Sequence, residues 1–242
     1  MGLFFSFTMF PNSILIRHLG LVPYQPTYQA MRQFTNARDI DTPDELWVLQ
    51  HPPVYTLGQA GKREHLLNTG NIPVYPIDRG GQATYHGPGQ LIIYILMDIK
   101  RRQWGAKKLV QALEQAVIDY LTSLKIHGER RYKAPGVYVN GCKIAALGLR
   151  IRHGCCYHGL SLNVNMNLEP FAGINPCGYA GLEVTQLRDF GVTDHFTQVS
   201  TQFLHYLLDT LQLSQARITT KDYRYPDKFQ PDLSGFRNLT GL

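Results

Sequence analysis

Cys177 lies between Pro176 and Gly178 in "INPCGYAG" (174–181), a run of turn-formers that displays a thiol on the backbone. A free cysteine behaves as an inert small hydrophobe unless a nearby cation lowers its pKa from about 8.5 and makes it a nucleophile. Lysine serves as that cation as well as histidine does. Lys143 is the candidate, two residues beyond the Asn140-Gly141 pair. In a regular strand it shares a face with Ala145, Leu147 and Leu149, company in which an ammonium either lowers its pKa or finds an anion. The opposite face, Cys142, Ile144, Ala146 and Gly148, is also apolar and small, so parity does not choose the core side. Taken alone, Lys143 is more commonly a lysine snorkelling from a strand end.

A second stretch, "DRGGQATYHGPGQ" (78–90), has four glycines and one proline between two strand-like runs. Glycines let a backbone approach a ligand and donate amides to it, while Tyr85 and His86 supply a wall and a proton-active group. The stretch matches neither the P-loop nor the dinucleotide fingerprint, so no nucleotide follows from it. Its plain alternative is a surface loop with one satisfied histidine.

Further on, Cys156, His158, Leu160, Leu162 and Val164 alternate with Cys155, Tyr157, Gly159, Ser161, Asn163 and Asn165. The first set is mainly apolar and places His158 toward a core; in the second, Ser161 and Asn163 are suited to orient a substrate or simply to face water. "HGCCYH" (153–158) gathers two histidines and two cysteines. Adjacent cysteines on one strand point to opposite faces and the second ligand pair of a zinc site is missing, so no metal is expected.

Strand-like runs at 13–19, 45–50, 72–77 and 91–99 and a first helix entered near Pro26 must carry these segments. Val110, Leu113, Val117, Leu121 and Leu124 form one face of an amphipathic helix. Asn140-Gly141 and His153-Gly154 are hairpin turns that make 136–165 a three-stranded antiparallel meander. A last helix covers 197–212 through Val199, Phe203, Tyr206, Leu207 and Thr210. Strands cluster in hairpins and helices do not alternate regularly, which indicates an α+β fold with mixed and antiparallel sheets and flanking helices.

The chain of 242 residues, 44% hydrophobic and 17% charged, suits one domain over 1–242 and argues against extensive disorder. Residues 1–8 read as a peripheral extension and 213–242 as a loosely packed tail. The apolar opening has no basic n-region and no small-residue cleavage site, and no apolar run reaches a membrane span. A cytoplasmic protein with reduced thiols is expected. The net charge of +6 favours an acidic partner. No helix-turn-helix, zinc finger or aromatic RNA-binding signature accompanies that charge, so a protein is favoured over nucleic acid.

Taken together, "RGGQATYHGPGQ" (79–90), "KIAALGLRI" (143–151), "YHGLSLNV" (157–164) and "INPCG" (174–178) resemble the lipoyl(octanoyl) transferase family in order and spacing, with weaker similarity from about 14 to 210. The resemblance implies the fold of biotin and lipoate protein ligase catalytic domains. It implies that Cys177 takes an octanoyl group as a thioester, with Lys143 as its acid/base partner. It assigns the acyl pocket to three segments: Arg79, Gly80, Gly81, Gln82, Ala83, Thr84, Tyr85 and His86; Ala146, Leu147 and Gly148; and Gly159, Leu160 and Ser161. The implied donor is octanoyl-acyl carrier protein. The implied acceptors are lipoyl domains of 2-oxo acid dehydrogenase complexes and the glycine cleavage H protein, with no cofactor. Gln82-Ala83, Cys155-Cys156, Tyr179 and Gln186 depart from the family's usual pattern. An ATP-dependent lipoate ligase, a non-catalytic binder of acylated carrier protein and a hydrolase using His86 or His158 are the rival readings, and only the transferase needs Cys177 together with Lys143.

Overall fold

A computed structural model describes residues 13–213, 217–222 and 225. The strands are β1 (Ser13–Leu21), β2 (Asp44–Gln50), β3 (Val54–Leu57), β4 (Val74–Pro76), β5 (Ala83–His86), β6 (Gln90–Asp98), β7 (Glu129–Arg131), β8 (Ala134–Val139), β9 (Cys142–Arg152), β10 (Cys155–Asn163) and β11 (Arg217–Asp222). The helices are α1 (Tyr24–Asn36), α2 (Ala106–Ser123) and α3 (Phe196–Thr210). The strands form an eight-stranded sheet in the order β11-β1-β2-β6-β10-β9-β8-β7 and a small sheet in the order β4-β3-β5. β1 runs parallel to β2 and β11, and every other pairing in the large sheet is antiparallel. The expected α+β architecture is thus observed.

The large sheet is covered on both faces, which explains the unbroken apolar run of β6. Ile93, Ile95 and Met97 join Leu113, Val117 and Leu121 of α2 and Val199, Phe203 and Leu207 of α3 in the main core. The alternate residues Ile92, Tyr94 and Leu96 pack with Trp47, Leu49 and the α1 residues Ala30, Met31 and Phe34. The small sheet has its own cluster of Tyr55, Tyr85, Phe171 and Ile174.

Both expected hairpin turns are present. Asn140-Gly141 has φ of 49° and 87°, and His153-Gly154 has 51° and 83°, the paired positive values that match the twist of the flanking strands. Elsewhere the run at 72–77 narrows to β4, and β5 lies inside the glycine-rich stretch where a loop was expected. The tail expectation is corrected in part. Residues 217–222 pair in parallel with β1, and Tyr225 is buried with its ring edge-on to Trp47. A strand there occupies the outer hydrogen-bonding edge of β1, which would otherwise be open. Residues 1–8 and the remainder of the tail lie outside the described residues.

Candidate active site

Lys143 Nζ lies 2.8 Å from Cys177 Sγ and 3.1 Å from the carbonyl oxygen of Pro135. A defect in the strand makes this contact. Val137 pairs with Ala145 but Tyr138 pairs with Lys143, so Ile144 is the extra residue of a β-bulge. The regular alternation expected for this strand therefore breaks. Ala145, Leu147 and Leu149 pack into or against the main core, while Lys143 reaches the thiol. The backbone of Lys143 is also tied to the segment after Cys177: its N–H donates to Glu183 O at 2.9 Å, and its carbonyl accepts from Thr185 N at 3.0 Å.

Cys177 occupies a single 3-10 turn, Pro176–Gly178, closed by Gly178 N to Asn175 O at 2.9 Å and Tyr179 N to Pro176 O at 3.1 Å. Its own φ is +55° and that of Gly178 is +76°. A cysteine in the left-handed region is uncommon and costs about 1–2 kcal/mol, a strain that concentrates at functional sites. Lys143 is only 4% exposed. Burial opposes its charge, but attraction and hydrogen bonding to Cys177, with Tyr138 beside it, outweigh burial and raise its pKa above the ordinary lysine value. This geometry holds an ammonium, a proton donor, within hydrogen-bonding distance of a sulfur.

A narrow cleft runs from Cys177 between the two sheets. Of the expected pocket residues, Arg79, Gly81, Gln82, Ala83, Thr84 and His86 line it from one side; Ala146, Leu147, Gly148, Gly159, Leu160 and Ser161 line it from the other. Gly80 and Tyr85 do not. Gly80 borders an adjoining groove, and strand alternation on β5 turns Tyr85 toward Tyr55 and Phe171. Gly159 is required by crowding, since a β-carbon there would collide with the carbonyl of Ile93 on β6.

Arg79 is buried and donates to Thr56, Gly80 and Gln82 at 2.7–3.3 Å, so its guanidinium builds the glycine-rich turn from within. His86 Nδ1 is 2.7 Å from Gln90 Oε1, and its ring stacks on Tyr24. Burial, reinforced by His51 nearby, pushes the His86 pKa down to about 3, and burial takes His51 to about 4. Both are neutral at physiological pH. Asn163 accepts from Gln90 Nε2 and donates to Thr185 O, both at 2.9 Å, and borders a small cavity with Lys143, Ser161 and Cys177.

His158 is buried, but not on the face of Leu160 and Leu162 where alternation puts it. Its φ of +61° rotates the side chain to the cleft, where it stacks on Tyr28 with Nε2 3.2 Å from Asp78 Oδ1. Tyr24, Ile92 and Tyr94 also line the cleft and carry no separate sequence signal. Tyr94 in particular lies within an apolar run whose two faces look alike until both are covered. Cys156 is in the main core with its pKa pushed up to about 12 by burial. Among the described residues, no three His, Cys, Asp or Glu side chains are grouped to hold a metal ion. None of the described helices is long and apolar enough to cross a membrane.

The sequence profile described as the lipoyl protein ligase A/B catalytic domain matches residues 23–208. An octanoyltransferase of Thiobacillus denitrificans is 62% identical over 180 residues, which are 74% of this chain and 83% of that protein. This chain belongs to the lipoyl(octanoyl) transferase family. The fold is shared more widely. The bi-partite lipoate protein ligase of Thermoplasma acidophilum superposes with a TM-score of 0.69 at 16% identity, over 94% of this chain and 92% of that one. The biotin protein ligase of Aquifex aeolicus gives a TM-score of 0.50 at 13% identity, over 83% and 69%. Within the lipoyl(octanoyl) transferase family, then, this member has its cysteine on the lining of the cleft between the two sheets, with the lysine in contact with the thiol.

Proposed function

We propose that the protein transfers an octanoyl group from octanoyl-acyl carrier protein to the acceptor lysine of lipoyl domains, the first step of lipoate biosynthesis, through a thioester on Cys177. The single observation that carries this reading is the 2.8 Å contact between Lys143 Nζ and Cys177 Sγ at the end of a cleft walled by Ala146, Leu147, Gly148 and Leu160.

The Cys177 thiolate attacks the donor's thioester carbon. The pantetheine sulfur departs with a proton from the Lys143 ammonium, leaving an S-octanoyl enzyme and a neutral lysine. One thioester replaces another, so the step is nearly isoenergetic and uses no nucleotide. With the sulfur acylated, the attraction to Cys177 that raised the Lys143 pKa is gone, and burial, which lowers it, is opposed only by Tyr138. A buried neutral lysine is the base the second half-reaction needs. It takes the proton from the incoming amine as the amide forms, and Cys177 leaves as thiolate beside the restored ammonium. The apolar cleft excludes water while the acyl chain is in place, which favours the amine over hydrolysis.

The net charge of +6 suits an acidic carrier protein and speeds encounter with it. Acceptors would be the lipoyl domains of 2-oxo acid dehydrogenase complexes and the glycine cleavage H protein, in the cytoplasm. The test is the intact mass of the protein after mixing with octanoyl-acyl carrier protein. A hydroxylamine-sensitive octanoyl adduct, absent in Cys177→Ala, is expected. An unmodified protein beside a still-acylated carrier would overturn the proposal in favour of a ligase or a binder.

A further inference from the structure

The carbonyl of Pro135 that accepts from Lys143 Nζ belongs to the same peptide unit as the N–H of Gly136. That N–H donates to Glu114 Oε1 at 3.0 Å. Glu114 comes from α2 and is 6% exposed, and its other carboxylate oxygen accepts from Arg130 Nε at 3.1 Å. A carboxylate, one peptide group and an ammonium are therefore linked in series, ending at Cys177 Sγ.

The backbone has been shaped to allow this. Gly136 has φ of +135°, and a β-carbon there would lie 2.7 Å from Ala145 O, 3.1 Å from Lys143 Cε and 3.2 Å from Lys143 Nζ. Only glycine both adopts this conformation and leaves room for the lysine. An amide whose N–H is bound to a carboxylate is polarised, and its oxygen becomes a stronger acceptor. The same contact fixes the plane of the peptide, and with it the direction in which the lysine is held.

We infer that Glu114 is a positioning residue for the acid/base step: through the Pro135–Gly136 peptide it holds and polarises the carbonyl that aims the Lys143 ammonium at Cys177. This inference rests on the reading of Lys143 and Cys177 as the reacting pair. The charged or titratable groups facing the series are Arg130 beside Glu114, Tyr138 and Cys177 around Lys143, and Arg79, which interacts electrostatically with Cys177. Glu114→Gln keeps an acceptor for the Gly136 N–H and removes the charge, whereas Glu114→Ala removes both.

The experiment follows alkylation of Cys177 by iodoacetamide against pH, read by peptide mass, together with the rate of octanoyl adduct formation. Wild type, Glu114→Gln, Glu114→Ala and Lys143→Ala are compared. In Glu114→Gln the alkylation profile should be displaced along the pH axis and adduct formation should slow about tenfold, with the thermal midpoint near that of wild type. Lys143→Ala should shift further. A Glu114→Gln profile that overlays wild type while Lys143→Ala is displaced overturns this inference alone, as does a loss of thermal stability without a displaced profile. If Lys143→Ala also overlays wild type, the reacting pair itself is wrong. Glu114→Gln keeps the test decisive should Glu114→Ala not fold.

Discussion

Gly178 is packed flat against the side-chain amide of Gln82, so closely that a β-carbon on Gly178 would overlap it. The cysteine turn and the glycine-rich turn thus meet through one glycine and one glutamine, and the cleft begins at that contact. Gly178 also sits at φ +76°, a conformation that costs an L-residue about 1–2 kcal/mol. Gly178→Ala should therefore lose about that much stability and move Cys177 relative to the cleft. Octanoyl adduct formation, followed by intact mass, should fall by about tenfold or more. Full activity in the variant would mean the two turns are free to separate.

Lys143 has a second consequence that is independent of turnover. Burial lowers its pKa, and Cys177 and Tyr138 raise it by more, so the folded value stands above the ordinary 10.5. A group whose pKa rises on folding adds stability that is complete below the unfolded value and is lost as pH climbs through the folded one. Compared with Lys143→Met, wild type should keep this advantage at neutral pH and lose it progressively above 10.5. Urea unfolding of both proteins at about pH 8 and about pH 11 measures it. A stability difference that grows with pH would show that the lysine is held neutral in the folded protein.

Asp78 collects the polar edge of the cleft. It accepts from Tyr28 OH at 2.9 Å and from the Tyr157 hydroxyl, with His158 Nε2 at 3.2 Å. Burial raises its pKa, but these three partners, His158 first among them, hold the carboxyl well below the usual carboxylate range. Its contribution is therefore present above the ordinary 3.8 and fades as pH falls below that value. His158 itself is kept neutral near pH 7, because burial lowers its pKa more than Asp78 raises it. Asp78→Asn should cost about 1–2 kcal/mol at neutral pH, discounted for the partial exposure of the carboxylate. That cost should shrink in acid below about pH 4, as thermal melts of both proteins across the range would record. A difference that persists unchanged at low pH would assign the loss to packing.

Much of the architecture was legible in local pattern. The 3.6-residue period of α2, the Asn140-Gly141 and His153-Gly154 turns and the β8-β9-β10 meander follow from side-chain chemistry acting over a few residues. The cysteine in its turn-former setting, the lysine beyond the hairpin and the glycine-rich stretch were likewise visible as chemistry waiting for a geometry. Four decisions lay beyond local pattern. The face on which Lys143 emerges depends on the bulge at Ile144, and the face of His158 on a positive φ within β10; alternation assumes a regular strand and detects neither. The pairing of 217–222 with β1, and the walls that Tyr24 and Tyr94 give the cleft, depend on elements far away in the chain. Residue type and spacing report what a segment can do within its own turn or strand. Which of two similar faces is buried, and which side chains meet across 34 residues as Lys143 and Cys177 do, is set by what packs against them.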